Sequence, residues 1–106
     1  MTSNQGFVLH PGAAQDIFDI WEFIARDDPV AAGRFREQIL DALRRLVALP
    51  HQGHKRSELT SRPLRFLTLA DYLIVYAPDE DPLVVIAILH GRRNPRILAA
   101  ILRERG

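Results

Sequence analysis

The stretch ILHGRRNPRIL, residues 88–98, brings together residue types that can do chemistry. His90 has an imidazole that titrates near neutral pH and can act as an acid or a base. Arg92 and Arg93 follow after one glycine, and guanidinium groups bind carboxylates and phosphates. The stretch therefore fits four interpretations: a catalytic site, an anion site, a docking patch for a partner, or the solvated end of a strand.

A second histidine group has a spacing that occurs at metal sites. His51 and His54 are separated by Gln-Gly, but the chain has no cysteine and offers no second ligand pair. The run of Asp79, Glu80 and Asp81 lacks other ligand types and predicts a solvated turn. We therefore expect no metal site. The sequence also lacks a glycine-rich phosphate loop and a Ser–His–acid signature, so we expect no cofactor.

The composition is that of a folded protein, with 47% hydrophobic and 25% charged residues among 106. We expect one domain over residues 1–106, with residues 1–6 flexible. The absence of cysteine points to a reducing compartment. No secretory signal or apolar run of ~20 residues is present, so we expect a cytoplasmic protein without membrane association. Five arginines against one glutamate make residues 91–106 basic, which suits an acidic partner.

Two amphipathic helices follow a short first strand at residues 6–10. The first, within residues 12–28, has one apolar stripe made of Ala13, Ile17, Ile20, Trp21 and Ile24. Asp28-Pro29 predicts the start of the second helix, which Pro50 ends. An αα-hairpin of this kind needs a further layer to cover. Trp21 is predicted to pack in the core, although its size also suits an anchor at an interface.

Three strands and a final helix complete the chain. The polar segment 51–62 predicts an exposed loop, and the strands follow at residues 64–69, 72–76 and 83–90. Short connections predict antiparallel neighbours, and the apolar last strand is expected at the centre, covered on both faces. An Asn-Pro pair predicts a helix at 95–105. The expected fold is α+β, an antiparallel sheet packed against an αα-hairpin in the order β-α-α-β-β-β-α.

This order and several local patterns resemble the RelE/ParE superfamily of bacterial type II toxins, over roughly residues 7–95. The resemblance is carried by the helices HPGAAQDIFDIWEFIA and DPVAAGRFREQILDALRRL, and then by LPHQGHKR, PLR, YLIVY and ILHGRRNP. No single piece is specific, but their order and spacing together are. The long helical hairpin and the HGRRNP ending are most similar to the ParE branch.

The resemblance to ParE implies a toxin that stops growth by binding DNA gyrase, with a role in plasmid stabilisation. It implies neutralisation by a cognate ParD-like antitoxin in a hetero-oligomeric complex. Such a protein acts by binding, not catalysis, and we expect no direct sequence-specific DNA binding by this chain. The residues expected to contact the target or antitoxin are Trp21, Arg65, His90, Arg92, Arg93 and Arg96.

The resemblance to RelE implies the alternative function, a ribosome-dependent mRNA endonuclease. Cleavage by the 2′-OH needs a base, an acid and cations around one phosphate. RelE-like enzymes are implied to use basic loop residues, an arginine on the sheet and a C-terminal tyrosine. Lys55, Arg56 and Arg65 match the cationic part. The last tyrosine, Tyr76, lies in a predicted strand, so His90 would have to act in place of the missing tyrosine.

Structural roles compete with these functional ones. Arg65 could instead pair with an acid, either Asp71 or Glu58. Tyr72 and Tyr76 share one face of their strand by alternation, which favours core or half-buried packing over a stacking surface.

Overall fold

The computed structural model describes residues 6–106. Its elements are β1 Phe7–Leu9, α1 Pro11–Ala25, α2 Pro29–Ala48, β2 Arg65–Leu69, β3 Tyr72–Ala77, β4 Leu83–His90 and α3 Pro95–Glu104. The predicted α+β class and the order of the elements are confirmed. The prediction of a flexible segment at residues 1–6 falls, for residues 1–5, outside the described residues.

The four strands form one mixed sheet in the order β1-β4-β3-β2. β2, β3 and β4 are antiparallel neighbours as predicted. β1 runs parallel to β4, with Leu9 opposite Val85, so the prediction of an antiparallel sheet is wrong for this pair. That prediction rests on short connections, whereas the helical hairpin and two strands separate β1 from β4. A connection of this length allows the two strands to run in the same direction.

Each helix begins at a proline that follows a capping side chain. Asp28 and Asn94 accept hydrogen bonds from backbone N–H groups of their helices, at 3.1 and 2.8 Å, as the sequence predicted. At the start of α1, the Nδ1 atom of His10 accepts a hydrogen bond from the Gly12 N–H at 2.9 Å. Histidine is not one of the common capping residues, so the sequence predicts His10 as the end of the first strand and not as a cap.

Helices cover both faces of the sheet. β4 lies between β1 and β3 and is buried from Val85 to Leu89, which confirms its predicted central position. Each fully buried aliphatic side chain contributes roughly 1.5–3 kcal/mol to stability. The core beneath the hairpin includes Ile17, Ile39, Leu43, Leu46, Ile74, Tyr76, Val85 and Ile88. The core beneath α3 includes Leu64, Phe66, Leu73, Val75, Leu89, Leu98 and Leu102.

β1 ends opposite Val85, and beyond this point an ion pair takes its place along the edge of β4. Arg105 donates to both carboxylate oxygens of Asp16, at 2.6 and 3.1 Å, and to the Ile86 carbonyl at 3.2 Å. Asp16 also accepts from the Ile88 N–H at 2.9 Å. We call Asp16 and Arg105 the edge ion pair. It satisfies backbone groups of β4 that β1 is too short to reach.

Candidate functional site

α1 carries three exposed aromatic side chains, Phe18, Trp21 and Phe23, with exposed fractions of 51%, 38% and 67%. The rings of Phe18 and Trp21 stack with their centroids 6.2 Å apart. The predicted core packing of Trp21 is therefore wrong, because the hairpin turns this edge of the stripe towards solvent. Large apolar groups exposed together are typical of an interaction surface.

Phe18 and Trp21 form one wall of a groove of about 470 Å³ between β1 and the two hairpin helices. We call it the hairpin groove. Its lining is apolar except for Arg36, an exposed residue of α2. The lining residues are Leu9, Ala14, Ile17, Phe18, Trp21, Arg36 and Leu40.

Four basic residues lie where β4 ends and α3 begins, and we call His90, Arg92, Arg93 and Arg96 the strand-end cluster. The three arginines are exposed. Within residues 6–106, none of them forms an ion pair. Their donors therefore face water and remain available to a carboxylate or phosphate of another molecule.

His90 is half-buried at the end of β4. Its ring packs edge-on against Tyr72, with centroids 5.3 Å apart, and Tyr72 in turn packs against Phe35 at 5.4 Å. The Nδ1 atom of His90 accepts from the Arg92 N–H at 3.2 Å, which assigns the proton of the neutral ring to Nε2. Tyr72 is half-buried and Tyr76 fully buried, so the predicted packing of both tyrosines is confirmed.

Arg65 has a structural role that the sequence did not predict. Its guanidinium donates to the carbonyls of His51 and Gly53, at 3.3 and 2.8 Å. The Gly53 N–H donates to the Tyr76 hydroxyl at 2.8 Å. Burial raises the pKa of Tyr76, against the lowering effects of the Gly53 hydrogen bond and the Arg65 charge. The hydroxyl stays neutral at physiological pH, and these bonds hold the loop after α2 against the sheet.

Neither acidic partner expected for Arg65 is used. Glu58 accepts from the Nε atom of Arg56 at 2.6 Å, and this hydrogen bond lowers the pKa of the Glu58 carboxyl. The predicted pairing of Arg65 with Glu58 or Asp71 is therefore wrong. The loop that follows α2 brings two backbone carbonyls within reach of Arg65, and their position depends on the folded chain.

The structure does not bring the four residues of the nuclease alternative together. Arg65 begins β2 and His90 ends β4, and their partners in β3 are four residues apart, at opposite ends of that strand. At about 3.3 Å per residue, this offset separates them by roughly 13 Å. Lys55 and Arg56 line a separate surface cavity in the loop before β2. His90 therefore lies well apart from Arg65, whereas acid–base cleavage requires both groups at one phosphate.

His51 and His54 have different neighbours in the structure. The Nε2 atom of His51 lies 3.3 Å from a carboxylate oxygen of Asp79, whereas the backbone of His54 pairs with that of Phe66. Among the described residues, no group of three or more histidines, cysteines or acids could hold a metal ion. In the same part of the chain, no helix combines the length and apolar character needed to cross a membrane.

Two of the exposed aromatic residues on α1 were not predicted from the sequence. Phe18 and Phe23 lie off the apolar stripe, on the face that also carries Asp19 and Glu22. An aromatic residue on the charged face of a helix has no core to enter, and this signal could have found both. No local signal could have found the edge ion pair, because its partners are 89 residues apart.

The geometry defines a class of small α+β protein in which a helical hairpin and a third helix cover a four-stranded sheet. A family model described as the ParE toxin of the type II toxin-antitoxin system, parDE, matches residues 7–95. The chain therefore belongs to the ParE toxin family of type II toxin-antitoxin systems, which confirms the resemblance. The match spans the hairpin groove, Arg92 and Arg93 and ends before Arg96. No curated protein matches the sequence.

Proposed function

We propose that the protein stops bacterial growth by binding DNA gyrase and that a cognate ParD-like antitoxin neutralises it. The observation that carries this proposal is the family match over residues 7–95, which contain the hairpin groove and most of the strand-end cluster. Binding is favoured over RNA cleavage because Arg65 and His90 lie at opposite ends of the sheet. The proposal places the protein in the cytoplasm, where gyrase acts.

The hairpin groove is the proposed contact for the antitoxin. Its apolar lining and its two exposed aromatic rings suit the apolar face of an amphipathic helix. Trp21 supplies a large, rigid anchor of the kind that dominates binding energy at interfaces. Arg36 offers a partner for an acidic side chain of that helix. A stable complex would bury more than about 1,000 Å² in total, so contacts must extend beyond this groove.

The strand-end cluster is the proposed contact for gyrase. Its arginines are exposed and unpaired within residues 6–106, so no internal ion pair must break before they bind. Exposed charges of one sign speed association with an oppositely charged surface. We expect the effect of this cluster to weaken as salt concentration rises, because solvent-exposed charges are screened.

The target is tested with purified protein, gyrase and relaxed plasmid DNA. We expect loss of supercoiling and accumulation of cleaved DNA trapped on the enzyme. Unchanged supercoiling without cleaved DNA at high toxin excess would contradict the proposal. A parallel assay with programmed ribosomes maps mRNA ends, and cuts within the A-site codon there would instead support the RelE-like function.

The antitoxin contact is tested by Trp21→Ala, with Val30→Ala as the matched control. Both side chains are exposed, but Val30 lies outside the hairpin groove. Loss of an aromatic anchor worth about 2 kcal/mol should weaken antitoxin binding roughly 30-fold, measured by titration calorimetry. The control should change affinity less than about three-fold. Equal affinities for the two variants would exclude the groove as the main contact.

A further inference from the structure

The end of β4 directs backbone groups away from its neighbour β3. The Gly91 N–H donates to the Asp71 carbonyl at 2.8 Å, which fixes the hydrogen-bonding phase of this antiparallel pair. By alternation, the N–H and C=O groups of Ile88 and His90 point to the opposite side. The hydrogen bond from the Ile88 N–H to Asp16 lies on that side and agrees with this direction.

Most of this outward edge is already paired. β1 covers it as far as Val85, and the edge ion pair binds the Ile86 carbonyl and the Ile88 N–H. The His90 carbonyl accepts from the Arg93 N–H at 3.1 Å. The Ile88 carbonyl and the His90 N–H remain, and no side chain within residues 6–106 bonds to either. An acceptor and a donor on alternate residues match one residue of a parallel strand, which bonds to both.

A groove of about 290 Å³ lies beside these two groups, between α1 and the end of β4. We call it the edge groove. Ile20 and Phe23 supply its apolar wall on α1, and Tyr72 and His90 supply rings from the sheet. Arg93, which belongs to the strand-end cluster, also lines it, as do Asp16, which is paired with Arg105, and Asp19, whose carboxylate accepts a hydrogen bond from Gln15. The edge groove therefore combines backbone hydrogen-bonding groups, an apolar surface and an unpaired cation.

We propose that the edge groove binds an extended acidic segment of the antitoxin, which runs parallel to β4 and continues the line of β1. One residue of the segment donates its N–H to the Ile88 carbonyl and accepts from the His90 N–H with its own carbonyl. The residues on either side of it face α1, where an apolar side chain packs on Phe23 and a carboxylate pairs with Arg93. Strand addition of this kind gains affinity from the backbone and specificity from alternate side chains.

The assignment of the segment to the antitoxin rests on the proposed function, whereas the binding site itself follows from the geometry of β4. We expect the segment to be acidic where it meets Arg93, because the arginines there form no ion pair within residues 6–106. On the α1 wall, the Asp19 carboxylate repels a second carboxylate and favours an apolar side chain. A bound segment also pairs the two remaining backbone groups of this edge, which would otherwise be open to another strand.

The site is tested on the full-length, ¹⁵N-labelled protein with a capped seven-residue peptide that carries valine at position three, glutamate at positions five and seven and threonine elsewhere, so that valine and glutamate share one face of the strand. We expect saturable chemical-shift changes centred on Ile88–Gly91, with slowed hydrogen exchange of the His90 amide. The same peptide, methylated on every backbone nitrogen, keeps its side chains and charges but cannot donate to the Ile88 carbonyl. It should bind about ten-fold more weakly. Equal binding of both peptides, or no shift with either, would overturn the proposal.

Two phenylalanines of α1 provide a matched pair of variants. Phe23 lines the edge groove and Phe18 lines the hairpin groove, and both are more than half exposed. Phe23→Ala should weaken peptide binding about five-fold, whereas Phe18→Ala should leave it unchanged. The opposite order, or equal losses, would contradict the assignment of the segment to the edge groove.

The purified antitoxin then tests the source of the segment. Phe23→Ala should lower its affinity, and hydrogen exchange of the His90 amide should slow in the complex of the unaltered protein. A complex in which this amide exchanges at its free rate would exclude the antitoxin. The gyrase assay is independent of these results. Inhibition of gyrase without peptide binding would overturn the proposed site and leave the proposed function intact. Peptide binding without inhibition of gyrase would support the site and contradict the proposed function.

Discussion

Two groups of arginines in this chain carry the same charge and have opposite uses. Arg62, Arg65 and Arg105 donate to backbone carbonyls, and Arg105 also to the partly buried carboxylate of Asp16. The arginines of the strand-end cluster are exposed and form no ion pair within residues 6–106. A guanidinium has five donors, and the folded chain decides whether they are satisfied internally or left to a partner. Charge in the sequence is therefore a poor guide to a binding role.

The two groups of arginines should differ in what their removal costs the folded protein. We call Arg62, Arg65 and Arg105 the inner arginines and those of the strand-end cluster the outer arginines. Removal of an inner arginine leaves backbone or carboxylate acceptors without a donor, and each such acceptor carries the full cost of its lost solvation. Removal of an outer arginine breaks no contact within residues 6–106, because its donors bond to water. Substitutions in the two groups should therefore separate stability from function, with the largest stability losses at the inner positions.

Removal of the Arg105 side chain should have the largest effect. Arg105→Ala leaves the Asp16 carboxylate, whose side chain is only 13% exposed, without its cation and leaves the Ile86 carbonyl without a donor. Breaking a buried ion pair costs about 3–5 kcal/mol, and we expect about 2–4 kcal/mol for this partly accessible one. Urea unfolding measures the loss.

The exposed Arg103 of α3 is the control for this change, and Arg103→Ala should alter the free energy of unfolding by less than about 0.5 kcal/mol. Equal stability of the two variants would show that the edge ion pair does not hold β4. The destabilisation of an Asp16→Ala, Arg105→Ala double variant should be smaller than the sum of the single changes, because neither charge is left without its partner.

Removal of the Arg65 side chain should have the next largest effect. Arg65→Ala removes the donor to the His51 and Gly53 carbonyls, and we expect a loss of about 1–3 kcal/mol. Hydrogen exchange at the Gly53 amide should quicken, because the loop no longer holds that N–H against Tyr76.

Arg96→Ala is the matched control from the outer group and should leave both measurements unchanged. Arg65 was also predicted as a contact for the target or antitoxin. If Arg65→Ala leaves the free energy of unfolding and the exchange of the Gly53 amide unchanged but abolishes antitoxin or gyrase binding, Arg65 is a contact for a partner and not a structural residue.

The order of the elements could be predicted because its signals are local. The apolar stripe of α2, the Asp28 and Asn94 caps and the apolar run of β4 each lie within one short segment. The parallel direction of β1 could not be predicted, because it depends on pairing with β4, which lies more than 70 residues away in the sequence. The partners of Arg65 were missed for a related reason, since a charged side chain was matched with acids although backbone carbonyls were closer.

The strand-end cluster could be located in the sequence but its chemistry could not. His90, Arg92 and Arg93 stand out by type and spacing, yet the same residues fit a catalytic site or a contact patch. The register of β2, β3 and β4 separates His90 from Arg65, and only long-range pairing supplies this distance. The edge groove could not be predicted for the same reason, because its walls come from α1 and the end of β4, which are distant in the sequence.

The smallest effect on stability is expected for Arg92→Glu with Arg93→Glu, which tests the outer group directly. Both side chains are exposed and unpaired in the described chain, so the free energy of unfolding should change by less than about 0.5 kcal/mol. Growth arrest on induction of the toxin should nevertheless be lost, because the reversed charges repel an acidic target surface.

The control is Arg26→Glu with Arg34→Glu, which makes the same change in net charge on the hairpin and should leave growth arrest intact. If arrest and neutralisation both survive the first double change, the arginines are only the solvated end of a strand. Loss of neutralisation alone would assign them to the antitoxin and remove gyrase from this surface.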